Sequence, residues 1–121
     1  MTPLQRYKDA LTEREQIYDE VDRRLVRKHM GTWDKIMRDL IIYALVEEAH
    51  ETRTLNAARK HVAENLKTPG YSDYITENLS EWTIRHTYDH AKTLDATLLK
   101  RFCAANKKVR LAYLAIAKTC Q

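Results

Sequence analysis

Apolar residues recur at steps of four and three through the last stretch of the chain, residues 96–121, and no Gly, Pro or acidic residue interrupts them. The members of this repeat are Leu98, Phe102, Ala105, Val109, Ala112, Ile116 and Thr119. Such spacing places side chains on one face of an α-helix. We therefore expect a long closing helix whose apolar face packs against a core, with Asp95 as its cap or just before its start.

Glycine and proline are rare throughout the chain. The 121 residues include two Gly and two Pro, whereas a β-sandwich or barrel needs many turns. The fold that we expect is all-α, a mostly antiparallel bundle of four or five helices, because short connections make neighbouring helices run in opposite directions. A chain of this length favours a single domain, residues 1–121.

Capping residues predict where the first helices begin and end. Thr2 offers a hydroxyl to an unpaired backbone N–H, and Pro3 suits the first helical turn, where its missing N–H costs nothing. Helical spacing then continues to about Met30, and Gly31 is the expected stop. Thr32 is the expected cap of the next helix.

The second helix is the expected centre of the bundle. Its residues 40–46 are uncharged and apolar on all sides, which is typical of a buried helix. The sequence leaves open whether this helix continues through the polar residues 52–54 to about Leu66. After a loop at residues 67–71, Ser72 is the expected cap of a further helix. The apolar face of that helix comprises Ile75, Leu79 and Trp82.

Positive charge is concentrated on the closing helix. It contains six of the 21 basic residues and none of the 17 acidic ones, in a chain of net charge +4. Cations along one helix can follow a nucleic-acid backbone, and an aromatic ring such as that of Tyr113 adds a stacking surface. Lys118 is the last of the six. The nucleic-acid-binding residues that we predict are Lys100, Arg101, Lys107, Lys108 and Arg110.

The same cations have a structural interpretation. The first helix carries an acidic face that comprises Glu13, Glu15, Asp19, Glu20 and Asp22. These carboxylates can pair with the closing helix inside the bundle or across a homodimer. In that case the charge stabilises the fold, and no nucleic acid is needed to neutralise it.

Arg85 and His90 enclose the six-residue segment Arg-His-Thr-Tyr-Asp-His. It resembles the Arg-polar-x-x-x-His signature of the HEPN ribonucleases, small helical bundles that usually act as dimers. The resemblance implies that Arg85 holds the scissile phosphate and that His90 is the acid or base, a role that suits an imidazole. It also implies RNA cleavage through the ribose 2′-hydroxyl without a metal.

Residues 79–86 are similar to the opening of a recognition helix in helix-turn-helix regulators, which presents polar side chains to the major groove. We expect one continuous helix through residues 75–79, so the short Gly-containing turn of that motif is missing. A helix-turn-helix role is therefore not favoured.

Metal-ligating side chains occur in pairs and not in complete sites. Glu47 and His50 have the Glu-x-x-His spacing of di-iron bundles, which need a second copy and two further Glu residues. His86 and His90 lie four positions apart, as a zinc pair would on a helix, but two ligands do not make a site. We expect no metal and no cofactor.

Several features favour a cytoplasmic protein. The first charged side chain is Arg6, so we expect no apolar region of a signal peptide at the N-terminus. The run 40–46 is shorter than the roughly 20 residues of a membrane span. Cys103 and Cys120 are expected to be free thiols in a reducing compartment, which is the host cytoplasm if the chain is virally encoded.

These observations support three functional interpretations. The leading one is a small non-enzymatic binding or regulatory protein whose basic closing helix engages nucleic acid or an acidic protein surface. The second is a metal-independent ribonuclease that uses Arg85 and His90. The third is a protein-interaction or inhibitor module with no nucleic-acid role. A homodimer is compatible with the first two, and no membrane partner is expected.

Overall fold

The structure is a computed structural model and describes residues 2–28, 31–68, 71, 72, 75 and 77–119. These residues include five α-helices. They are α1 (Pro3–Val21), α2 (Trp33–His50), α3 (Leu55–Asn65), α4 (Glu81–Ala91) and α5 (Ala96–Thr119). No β-strand occurs among these residues. The predicted all-α helical bundle is confirmed.

Side-chain caps fix the starts of these helices. The hydroxyl oxygens of Thr2 and Thr32 accept hydrogen bonds from backbone N–H groups three residues later, and the Asp95 carboxylate accepts from Leu98 in the same way at 3.0 Å. All three predicted caps are therefore confirmed. Thr54 caps α3 through the N–H of Ala57, so the segment after residue 51 is a separate helix.

The second helix is central, as predicted. Residues 40–46 are buried with the exception of the half-buried Tyr43. α2 packs against α3, α4 and α5, so its apolar sides are covered by three different helices. The buried side chains form one hydrophobic cluster to which all five helices contribute.

α1 and α5 run antiparallel along their length. The rings of Tyr18 and Phe102 stack 5.9 Å apart near one end, and those of Tyr7 and Tyr113 meet edge to face at 6.0 Å near the other. The predicted apolar face of α5 is buried from Leu98 to Val109, and Ala112 and Ile116 are half-buried. The side chain of Thr119 lies outside the described residues.

The predicted end of the first helix, at about Met30, needs correction. α1 ends at Val21 and continues as a π-helical turn, Asp22–Val26, in which the N–H of Arg27 donates to the carbonyl of Asp22 at 2.9 Å. Leu25 lies in this turn and is 2% exposed. Met30 lies outside the described residues. Gly31 has a φ of +153°, a region that favours glycine.

The helix predicted to begin at Ser72 is wrong. The Ser72 hydroxyl accepts from the N–H of Ile75 at 3.1 Å, but residues 77–80 are not helical. α4 begins only at Glu81, where the Ser80 hydroxyl accepts from the N–H of Thr83. A capping serine needs an extended backbone, so Ser80 ends the preceding segment as it starts the next helix. Trp82 is 69% exposed and does not belong to an apolar face.

The described residues include part of the predicted loop and one of the two cysteines. Lys67, Thr68 and Tyr71 are non-helical, while Pro69 and Gly70 lie outside the described residues. Cys103 is a half-buried free thiol, and Cys120 is outside the described part. None of the described helices combines the length and apolar character that a bilayer span requires.

Candidate functional site

The five predicted nucleic-acid-binding residues all lie on α5, but the structure places most of them at helix–helix boundaries. Lys107 and Arg110 flank α2, whereas Arg101 and Lys108 flank α1. Lys100 is exposed and lines a surface pocket together with Tyr43 and Glu47 of α2. The stripe that looked continuous in the sequence is therefore divided between two interfaces and solvent.

On the α1 side, two ion pairs repeat one heptad apart. Arg101 pairs with Glu20, and the Lys108 ammonium donates to both carboxylate oxygens of Glu13 at 2.9 Å. The sequence had indicated this acidic face of the first helix. The antiparallel register then places Arg6 opposite Ala115, so the row ends without a third carboxylate.

On the α2 side, the pairing is tighter. The guanidinium of Arg110 donates through Nε to Glu48 at 3.1 Å and also through Nη2. Both side chains are largely buried, and the hydrogen bond to Glu48 raises the pKa of Arg110 although burial opposes the rise. Lys107 contacts both oxygens of Glu51 at 2.7 and 2.9 Å, and this hydrogen bond raises the pKa of Lys107.

Four of the five predicted cations therefore have carboxylate partners in the same chain. A phosphate backbone approaching them would meet Glu13 and Glu51 as well, which repel it. Sequence reasoning missed the α2 partners, because Glu48 and Glu51 come from the end of a helix whose orientation relative to α5 no local pattern encodes. Among the described residues, no carboxylate lies within ion-pair distance of Lys100 or Lys118.

Sequence reasoning also missed a second apolar run. Residues 111–117 are seven uncharged, mostly aliphatic residues, the same length as the run 40–46 of α2. Unlike that run, they include several exposed side chains. Leu111 is 50% exposed and Leu114 is 37% exposed.

These exposed side chains form one surface, which we call the outer strip: Leu111, Leu114, Ala115 and Lys118. Their spacings of three, four and seven place them on a single face of α5, opposite the face that packs on the core. Arg6 borders this strip across the α1–α5 boundary. It is exposed, and no carboxylate of the described residues pairs with it.

The two residues of the HEPN-like signature both lie on α4. Arg85 and His90 are exposed, and His90 Nε2 lies 3.7 Å from Oδ2 of Asp39 on α2. Asp39 is 3% exposed. Burial raises the pKa of Asp39, and the nearby charges of His90, Arg38 and Lys35 act in the opposite direction.

The other described histidines do not form a site with this pair. His50 Nδ1 lies 2.8 Å from the carbonyl oxygen of Arg53, His61 contacts Asn65 and Tyr71, and His86 packs on Trp82. Within the described residues, no group of three or more His, Cys, Asp or Glu side chains is arranged to hold a metal ion. The segment between α3 and α4, residues 66–80, also exceeds the short turn of a helix-turn-helix motif.

No family model, curated protein or solved structure matches this chain.

Charge reversal of Arg110 tests the structural role of the paired cations. We expect Arg110→Glu to lower the free energy of unfolding by about 2 kcal/mol, because it leaves the largely buried Glu48 facing a like charge. The double variant Glu48→Arg/Arg110→Glu should recover at least half of that loss. Urea unfolding followed by circular dichroism measures both, and Lys100→Glu, which breaks no pair, is the matched control. Equal losses in the single and double variants would contradict the pairing.

The buried carboxylate of Asp39 predicts a pH dependence of stability. An acid whose pKa is higher in the folded protein than in the unfolded chain binds protons on folding, so its stabilising contribution is lost as pH rises through the folded pKa. We therefore expect the stability of Asp39→Asn relative to the wild type to increase as pH rises from the ordinary aspartate pKa of 3.8 towards neutrality. Urea unfolding at several pH values measures the difference, with Asp19→Asn as the exposed control. A difference that stays constant with pH would refute this expectation.

Proposed function

We propose that this protein is a non-enzymatic binding protein whose C-terminal helix engages an acidic, amphipathic segment of a partner protein. The observation that carries the proposal is the outer strip, an apolar surface with unpaired cations at its edge. It favours an acidic protein over nucleic acid as the binding partner.

The exposed leucines support a partner that covers them. A helical segment that is apolar on all sides is normally buried on all sides, as residues 40–46 are. Residues 111–117 have the same character, but Leu111, Leu114 and Ala115 are exposed. Leu111 and Leu114 are adjacent on the surface, so one ligand can cover both.

The charges support an acidic occupant. Lys118 lies within the outer strip and Arg6 at its border, and no carboxylate of the described chain pairs with either. A second copy of this chain would bring the same two cations to the interface, and like charges oppose that contact. A phosphate backbone would have no use for the two leucines, and it would meet the paired carboxylates Glu13 and Glu51 nearby.

The shape of the strip suits a helix. Anchor residues at i, i+3, i+4 and i+7 on one helix face are the pattern by which amphipathic helices pack against each other. Leu111, Leu114, Ala115 and Lys118 have these spacings. The partner segment should therefore carry leucine-like anchors at helical spacing, flanked by Glu or Asp residues that reach Lys118 and Arg6.

A labelled peptide tests this proposal. We expect a fluorescein-labelled helical peptide of Leu and Glu to bind the protein in an anisotropy titration. Leu111→Ser/Leu114→Ser should weaken binding at least about 10-fold, because it removes the two leucines that the peptide covers. A peptide with Lys in place of Glu should not bind. Trp82→Ser, which removes an exposed apolar side chain on α4, is the matched control and should bind normally.

Other occupants would give different results in the same experiment. Binding of single-stranded RNA or of anionic phospholipid vesicles that is stronger than peptide binding, and that is lost in Leu111→Ser/Leu114→Ser, would overturn the proposal. A dimer seen by sedimentation that dissociates in this variant would assign the strip to a second copy and would also overturn it.

A ribonuclease of the HEPN type is a second candidate, and one contact favours it. The buried Asp39 carboxylate lies 3.7 Å from His90 and can orient the imidazole, and a positioned side chain is what general acid–base catalysis requires. Arg85 lies on the same helix and is exposed. In the resembling family, the Arg and His meet across a dimer.

This candidate predicts RNA cleavage that survives a chelator. His90→Ala should abolish the cleavage, because the acid or base is lost, whereas His86→Ala on the same exposed face should retain it. Gel analysis of a labelled RNA after incubation with each variant measures the activity. A wild-type protein that leaves the RNA intact, or cleavage that His90→Ala does not change, would remove the candidate.

A further inference from the structure

Two cations of α5 lie on one line of the helix, and neither has a carboxylate within ion-pair distance among the described residues. Lys100 and Lys118 are 18 residues apart, which corresponds to five full turns and about 27 Å along the helix axis. Both side chains therefore project from the same face of α5, and both are exposed. Lys118 belongs to the outer strip, so the uncovered face of α5 extends beyond that strip.

The positions between these two cations continue the line at alternating steps of four and three. Two helices that pack side by side in a coiled coil use this spacing. Five of the six side chains on the line are exposed, and that of Lys107 is half-buried. We call this surface the α5 seam, and its members are Lys100, Ala104, Lys107, Leu111, Leu114 and Lys118. The seam therefore has the spacing of a helix-packing face, although its side chains are exposed.

A groove of about 430 Å³ adjoins the seam at its Lys100 end, between α2 and α5. Short side chains line part of it, namely those of Ala44, Ala96 and Ala104. Ala96 and Ala104 are exposed, so the chain itself does not fill the space above them. A side chain of a partner helix can enter at this point, as a knob enters a hole in a coiled coil.

The groove also offers a positive charge. Three carboxylates of α2 line it, and all of them accept hydrogen bonds within the chain: Glu48 and Glu51 from cations of α5, and Glu47 from the hydroxyl of Tyr88. Among the described cations that line the groove, Lys100 alone has no carboxylate partner. An acidic side chain of a partner can therefore pair with Lys100 without displacing an ion pair of the fold.

We propose that the partner segment is a single amphipathic helix of about 20 residues, which lies along the whole α5 seam. Because this helix covers the outer strip as well, it rests on the proposed function. Apolar anchors pack on Leu111 and Leu114 and supply most of the contact. Acidic side chains near its two ends pair with Lys118 and Lys100, and the pair at Lys100 fixes the register of the partner.

Two labelled peptides separate the seam from the outer strip. The short peptide, of about 11 residues, carries leucines and glutamates for the outer strip alone, and the long peptide, of about 22 residues, adds a half with Glu opposite Lys100. Hydrocarbon cross-links hold both helical, and the added half is placed at either end to cover both directions of the partner helix. In anisotropy titrations we expect one version of the long peptide to bind at least about 10-fold more tightly than the short one.

Variants at the groove identify the added contact. Lys100→Glu should remove the advantage of the long peptide by charge repulsion, and Ala104→Trp should remove it by filling the groove. Both positions are exposed, so circular dichroism should be unchanged, and the affinity of the short peptide should stay within about 2-fold. Lys60→Glu replaces an exposed cation of α3 with the same change in net charge. It is the matched control and should retain the advantage.

The short peptide decides the proposed function, and the long peptide decides the length of the partner. A long peptide that binds no more tightly than the short one would overturn the longer helix and leave the outer strip its partner. An advantage that survives Lys100→Glu and Ala104→Trp would do the same, as would an equal loss in Lys60→Glu, which would reduce the effect to net charge. Absence of binding by both peptides would overturn both proposals.

Discussion

The burial of α2 is the constraint on which the rest of the structure depends. A helix that is apolar on every side must be enclosed, and three other helices pack around it to do so. Leu40, Ile42 and Val46 have no exposed surface. Once these side chains are buried, α5 has to lie along α2 on one side and along α1 on the other. The positions of the charged residues follow from that arrangement.

Most of the positive charge on α5 is therefore paired with carboxylates of neighbouring helices. Glu13 and Glu20 meet it from α1, and Glu48 and Glu51 meet it from α2. An exposed ion pair contributes little, but the largely buried pair of Arg110 and Glu48 must be kept intact once it is enclosed. A basic helix read in isolation suggests a nucleic-acid ligand. The same helix in its bundle is close to neutral over its first four turns.

The apolar surface that α5 leaves exposed lies on its last turns. Leu111 and Leu114 are exposed there, on the side of α5 opposite the core. Exposed apolar area of this kind is the property that a partner segment covers. It lies where α5 has α1 beside it but α3 and α4 do not reach.

Sequence patterns predicted most of the fold because they are local. The caps at Thr2, Thr32 and Asp95 depend on residues three positions away, and the buried face of α5 depends on steps of three and four. The same rules failed after Ser72, because a serine that can cap is present at residue 80 as well. Periodicity alone does not decide between two such starts.

The candidate site was predictable only in part. The sequence by itself determined an all-α bundle, a central α2 and a basic α5, since each follows from contacts within one helix or from the hydrophobic demand of one segment. Only the tertiary structure decided which cations are paired and that Leu111 and Leu114 are exposed. These properties depend on residues far apart in the chain, such as Arg110 and Glu48, and helix packing alone brings them together.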